Sequence, residues 1–191
     1  DGDGALLGAV HKDGSISRFS LADLGKPVPL AASFMGARFD SPNDLALRTD
    51  GNIYFTDPDY QAPAAVPQAK TRVYRIAVGG AVSVVDDSLN EPNGVALSLD
   101  EATLYVASAS GLYRYPLMAD GSVGGAKQQV NPSISGGDGM GIDCAGDLYV
   151  TGKQDVVVLD PSGKDIGHIA LDTSVQGTTN VAFGGPDRKT L

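Results

Sequence analysis

The stretch Ser41–Tyr60, "SPNDLALRTDGNIYFTDPDY", decides the fold. It reads as two short strands around a tight turn, with the Asp-Gly pair marking the reversal and Asn43 and Asp44 standing just ahead of the first strand. The same unit returns as "PNGVALSLDEATLYVAS" (92–108), "GDGMGIDCAGDLYVTG" (137–152) and "TNVAFGGPDRKTL" (179–191). Each copy opens on a polar residue, continues into a short apolar strand and a turn containing Asp or Gly, and returns in a strand of Leu/Ile-Tyr-Phe/Val type. Residues 1–10, "DGDGALLGAV", match the same unit without its first strand.

Equivalent positions are 50 residues apart from Asn43 to Asn93, 45 from Asn93 to Asp138 and 42 from Asp138 to Asn180. Periods of roughly 40 to 50 residues belong to propeller blades. The intervening segments 71–87, 110–126 and 155–171 each add two alternating runs split by Gly-containing turns, so each unit is expected to be a four-stranded meander. The prediction is an all-β chain of four-stranded antiparallel blades, a single six-bladed β-propeller domain over 1–191 of which about four blades are represented. "SLADL" at 20–24 is expected to form no more than a turn. The chain opens after the first strand of one unit and stops inside another, as a longer protein represented in part would.

Composition narrows the function classes. The formal charge of −9 argues against nucleic acid, whose phosphates need clustered Lys and Arg. Of 23 acidic residues only Glu91 and Glu101 are Glu, and the Asp excess with 25 Gly and 11 Pro fits strands and turns. No apolar run approaches the roughly 18 residues of a membrane span and no basic-then-apolar leader opens the chain, so a soluble protein is expected. Its compartment stays open, cytoplasmic or periplasmic or secreted. Cys144 is the only cysteine, is unsuited to an internal disulfide, and is expected to be a small buried core residue.

If the strand before each Asp-Gly turn lines the channel, the residue ahead of it sits at the channel mouth. Rotational repetition then aims Asn43, Asn93, Asp138 and Asn180 at the axis. One such residue is ordinarily an Asx-turn cap. Four at one phase offer converging oxygens to a hard cation, Ca²⁺ foremost, with Mg²⁺, Mn²⁺ or Zn²⁺ as alternatives. Zinc held by Cys and His is disfavoured, because one Cys and two His stand at no paired spacing.

These segments resemble the SMP-30/gluconolactonase/LRE-like, or regucalcin-like, family over essentially the whole chain, in family order and spacing. The resemblance implies a six-bladed lactonase that opens sugar lactones such as gluconolactone with one divalent cation. Position by position, it implies Asn93 and Asp138 as metal ligands, with Asp138 also the general base. Asn43 would reach the metal, its water or the substrate, and Asn180 is a channel-mouth candidate. The family's remaining ligand is a Glu from an "EGP" segment, which is absent from this chain. Glu91 does not replace it on pattern grounds, lying two residues before Asn93.

Residues 57–70, "DPDYQAPAAVPQAK", join two strands on the Asn43 side and are either a lid carrying Tyr60 to stack on a sugar ring or a plain surface excursion. Arg38 is a candidate for a substrate hydroxyl or carboxylate against a solvated loop role. Asp57 is expected to end a strand, His11 to flank a turn and His168 to be structural. The expected partner is a small-molecule sugar lactone, met by a monomer without nucleic acid or membrane. Two other readings share the architecture: a non-catalytic binding scaffold, and a strictosidine-synthase-like enzyme that needs no Asn/Asp metal set.

Overall fold

The computed structural model describes residues 1–172, 174 and 177–191. It is built of antiparallel sheet, with no helix among the described residues. The chain divides into two compact units, Asp1–Pro92 and Asn93–Leu191.

The first unit opens with a three-stranded sheet of β1 (Leu6–Val10), β2 (Ser15–Ser20) and β3 (Asp23–Ala31), the copy that lacks its first strand. A two-stranded hairpin of β4 (Ser33–Phe34) and β5 (Ala37–Arg38) leads into a four-stranded meander of β6 (Leu45–Leu47), β7 (Ile53–Asp57), β8 (Arg72–Ile76) and β9 (Val82–Asp86). Register follows the repeat: Leu45 faces Phe55 and Leu47 faces Ile53 across the "RTDG" turn. Phe39, Phe55 and Tyr74 are buried, and their ring centroids lie 5.0–5.2 Å apart. These aromatics anchor an apolar core completed by Ile16, Ile53 and Ile76.

The second unit holds two further meanders. One is β10 (Val95–Leu97), β11 (Thr103–Ser108), β12 (Gly111–Pro116) and β13 (Gln128–Asn131). The other is β14 (Met140–Ile142), β15 (Leu148–Thr151), β16 (Asp155–Leu159) and β17 (Asp165–Ala170). Its core joins Tyr105, Ala107 and Leu112 of one sheet to Met140, Leu148, Val150 and Leu159 of the other. The last copy of the repeat, 179–191, forms only a bridge between Gly184 and Thr190, although Gly139 N–H donates to Thr179 O and ties it to the preceding sheet.

The turn between the first two strands shows why Gly recurs there. Gly51 and Gly146 have φ of 95° and 88°, and in the middle copy Glu101 takes the same place at 55°. Each donates its N–H back three residues, to Arg48, Asp143 and Ser98. A left-handed residue closes the turn, and Gly adopts it without the steric penalty that Glu101 bears.

Cys144 is exposed, against expectation, because it sits in the Asp143–Gly146 turn itself. His168 lies on β17, exposed, with Nδ1 2.7 Å from Asp155 and Nε2 2.8 Å from Asp165. These two carboxylates raise its pKa, first Asp155 and then Asp165. Among the described residues no helix is long and apolar enough to cross a membrane.

Candidate functional site

One hydrogen-bond pair recurs ahead of the first strand of three successive meanders. The backbone N–H of Asn43 donates to Thr56 O at 2.9 Å, that of Asn93 to Ala107 O at 2.9 Å, and that of Asp138 to Thr151 O at 3.3 Å. The return bonds run from Thr56, Ala107 and Thr151 to the carbonyls of Asp44, Gly94 and Gly139. Asn43, Asn93 and Asp138 are thus the same structural position, fixed by backbone pairing to the end of the neighbouring strand.

In the second unit these positions pack closely. A Cβ built on Gly94 would overlap the carbonyl of Asp138, and one on Gly139 would overlap the carboxamide of Asn180. Neither glycine has positive φ, so bulk and not backbone conformation requires Gly there. Asn93, Asp138 and Asn180 therefore follow one another along one end of the unit. Asn93 Oδ1 is buried. Asp138 is half-buried, and burial raises its pKa against the lowering effect of the Gly139 N–H. Asn180 is exposed, and its Oδ1 accepts from Val181 N–H at 2.8 Å, as an Asx cap does.

Oxygen donors of this kind suit a hard cation better than a soft one. Asn93 and Asp138 fit such an ion in donor type. Asp138 is a half-buried carboxylate whose pKa is shaped by burial and a peptide N–H, with no neighbouring side-chain cation among the influences on it. Among the described residues no three His, Cys, Asp or Glu side chains cluster as a metal site, and the donors gathered here are mostly carboxamides.

In the first unit the segment that leads to Asn43 is held by side chains absent from the repeat pattern. Arg38 donates to the carbonyls of His11 at 2.8 Å, Phe39 at 3.1 Å and Lys12 at 3.4 Å. These bonds tie β5 to the β1–β2 turn, an arrangement that favours a structural role for Arg38 over a substrate contact. His11 lies in that turn. Asp57 closes β7 and is buried, its carboxylate accepting from Asp40 N–H at 3.0 Å and Ser41 N–H at 2.8 Å. Burial above all, with nearby Asp40 adding to it, pushes Asp57 up to about 7.

Tyr60 is 47% exposed and its hydroxyl lies 3.4 Å from Glu91 O. Glu91 adopts φ 49° and its Oε2 is buried without a hydrogen-bond partner. Burial, and after it the nearby Asp59 carboxyl, raises its pKa. Sequence reasoning dismissed Glu91 and did not reach Asp59, because nothing in the repeat brings residues 59 and 91 together.

Clefts on the second unit lie at both ends of β14. One of about 600 Å³ is lined by Leu99, Ile142, Cys144 and Phe183, at the turn end of β14, the opposite end from Asp138. The other, about 250 Å³, includes Gly137, Thr151, Lys153, Asp155 and His168 and lies at the Asp138 end.

The description "SMP-30/Gluconolactonase/LRE-like region" matches residues 2–191. A gluconolactonase of Zymomonas mobilis is 30% identical over 169 residues, which are 80% of this chain and 47% of that protein. This chain thus spans about half of that relative's length. A gluconolactonase from Xanthomonas campestris superposes with a TM-score of 0.82 at 29% identity, over 96% of this chain and 63% of the other. A calcium-binding regucalcin from Agrobacterium tumefaciens superposes at 0.79 and 24% identity, over 97% of this chain and 62% of the other, a likeness of fold.

Proposed function

The chain belongs to the SMP-30/gluconolactonase/LRE-like family, and from that premise we propose that it serves in the metal-dependent hydrolysis of sugar lactones, with Asn93 and Asp138 as cation ligands and Asp138 as the proton acceptor. The observation that carries this reading is the recurrent mouth hydrogen bond, which puts a buried carboxamide oxygen and a half-buried carboxylate at equivalent positions of adjacent blades. Lactonase relatives supply the substrate class. The regucalcin likeness and the oxygen donors make Ca²⁺ the first ion to test, ahead of Mg²⁺, Mn²⁺ and Zn²⁺.

A divalent cation bound there would polarise a lactone carbonyl and lower the pKa of a water. Asp138 supplies the charge that holds such an ion and the oxygen that takes a proton from the attacking water. A carboxylate kept from full solvation is a stronger base than an exposed one. Asn93 contributes a neutral oxygen, so the pair carries a single negative charge. Asn43 and Tyr60 are proposed as substrate contacts, Asn43 with a carboxamide able to donate and accept, Tyr60 with an exposed ring face suited to a sugar. Asn180 acts as a cap of its own segment.

The test is hydrolysis of glucono-δ-lactone followed by acid release, with and without chelator, beside the thermal unfolding of the protein in increasing Ca²⁺. Chelator-sensitive turnover and a Ca²⁺-dependent rise in Tm, both absent from Asp138→Ala, are the expected results. Turnover retained by Asp138→Ala would sink the assignment. Turnover indifferent to chelator would point to the metal-independent reading.

A further inference from the structure

The connection between β7 and β8, residues 58–71, has the composition of a loose surface excursion, rich in Ala and Pro. Its anchorage is that of a wall. Gln68 is 8% exposed; its N–H donates to Asp40 Oδ1 at 2.7 Å and its Nε2 to the carbonyls of Ala37 and Arg38, each at 3.0 Å. Phe34 O lies 3.4 Å from the same nitrogen. Arg72 Nη1 donates to Gln68 Oε1 at 2.9 Å and to the Tyr74 hydroxyl at 3.2 Å.

At the other end of the connection, Ser41 Oγ donates to Pro58 O at 2.7 Å and accepts from Gln61 N–H at 3.3 Å, while Asp57 holds the N–H groups of Asp40 and Ser41. Apart from the bonds of Arg72, which brace Gln68 from β8, these bonds end on residues 34–41, the segment that delivers the chain to Asn43. Ala62 N–H still donates to Asp59 O at 3.1 Å, and 63–67 bows out between the two anchors.

We propose that Gln68, Asp40 and Asp57 are positioning residues that hold 58–70, Tyr60 included, as a fixed rim against the segment leading to Asn43, so that they set substrate binding and not the chemical step. The substrate part rests on the lactonase reading. The fixed rim does not.

Buried hydrogen-bonding groups of this number are costly to separate, because each freed donor or acceptor must find another partner. Asp40 and Asp57 are both fully buried, and Asp40 Oδ2 has no hydrogen-bond partner. The charged and titratable groups facing them are Arg72, Arg38, Asp59 and Tyr74, so two carboxylates are met by Arg72 as their main cation and by Asp59 as a further anion. A rim closed over carboxyls that prefer to be neutral is held best at low pH. It loosens as pH rises from the ordinary carboxylate range towards about 7, where Asp57 titrates in the closed state.

Limited digestion with proteinase K, with cut sites mapped by mass, reads the rim without any reference to catalysis. Wild type should resist cutting within 58–70, and Gln68→Ala should be cut there about tenfold faster at unchanged circular dichroism. Gln68→Glu adds a third carboxylate at the anchor and should be cut much faster at pH 8 than at pH 6, whereas Asp57→Asn should flatten the pH dependence of the ratio to wild type. Should Gln68→Ala fail to fold, Gln68→Glu at pH 6 takes its place. With glucono-δ-lactone, KM should rise about fivefold or more in Gln68→Ala and kcat stay within about twofold. Ready cutting of the wild-type rim, or an unchanged rate in the variants, overturns the proposal, as does a loss confined to kcat. Absence of turnover in wild type would defeat the lactonase reading alone, and the digestion would still decide whether the rim is fixed.

Discussion

In the first unit Asn43 is followed by Asp44, whose carboxylate accepts from Leu45 N–H at 2.8 Å. In the second, Asn93 and Asp138 are each followed by a glycine against which the equivalent residue of the next copy packs. The same repeat position is therefore secured in two ways. Ahead of Asn43 side chains do the holding, through Asp57, Ser41 and Gln68; after Asn93 a glycine lies on the backbone of Asp138, and after Asp138 one lies on the carboxamide of Asn180. The difference teaches that close approach, and with it a compact set of oxygens, belongs to the Gly-bearing copies, while the Asp44 copy is a supported edge.

The strongest way to break this contrast is at Asp138. Asp138→Ala should cut lactone hydrolysis by about a thousandfold with little loss of stability, whereas Asn43→Ala should raise KM and spare most of kcat, as steady-state kinetics on the two variants would show. Equal loss in both would erase the distinction between the units.

Next in size is Gly94→Ala. Its Cβ meets the backbone of Asp138, which cannot swing aside, so a cost of about 1–3 kcal/mol is expected, seen as a Tm lower by several degrees together with lost Ca²⁺ response. Gly139→Ala meets the exposed carboxamide of Asn180 instead. That side chain can rotate away, so the expected cost is under about 1 kcal/mol. Similar costs for the two glycines would show that the backbone of Asp138 gives as readily as a side chain.

The pH dependence of stability sharpens the first unit. Asp57 has a folded pKa of about 7 against an ordinary carboxylate value of 3.8, so the folded state binds the proton more tightly than the unfolded chain. Its contribution is greatest below the unfolded value and is lost as pH rises through the folded one. The urea midpoint of Asp57→Asn should therefore fall less than that of wild type between pH 5 and pH 7.5. An identical slope would mean that Asp57 is neutral or charged alike in both states. Smallest of all, Glu101→Gly should relieve the positive φ of its turn and raise stability by roughly 0.5–1 kcal/mol, measurable as a small gain in Tm.

Much of the fold was legible because strand alternation and the Asp-Gly turn are local, and the repeat presents them several times over. The equivalence of Asn43, Asn93 and Asp138 was legible for the same reason: they stand at one phase of the repeat, and their shared backbone hydrogen bond follows from that phase. The anchor of the rim was not. Gln68 sits in an Ala/Pro-rich connection and finds Asp40 and Arg38 across 28 and 30 residues, a distance over which no periodicity speaks. Cys144 was misread because apolar character was weighed above its place between Asp143 and Gly146, where the turn turns it outward. Arg38 drew interest for its charge, but the nearby carbonyls of His11 and Phe39 engage its guanidinium.

The pairing of Asn93 with Gly94 also bears on how the protein ages. Asn-Gly is the dipeptide in which the following amide nitrogen most readily closes on the carboxamide carbon and turns Asn into Asp or isoaspartate. Gly94 is buried and pressed against Asp138, and the Asn93–Gly94 peptide is bracketed by two bonds to Ala107, from Asn93 N–H to Ala107 O and from Ala107 N–H to Gly94 O, each at 2.9 Å. The peptide unit is thus held away from the cyclic geometry for as long as the chain is folded. Deamidation at this position should come from unfolded molecules alone, and a preparation that has unfolded and refolded repeatedly would carry a second carboxylate beside Asp138, a chemical record of its history written at the candidate site.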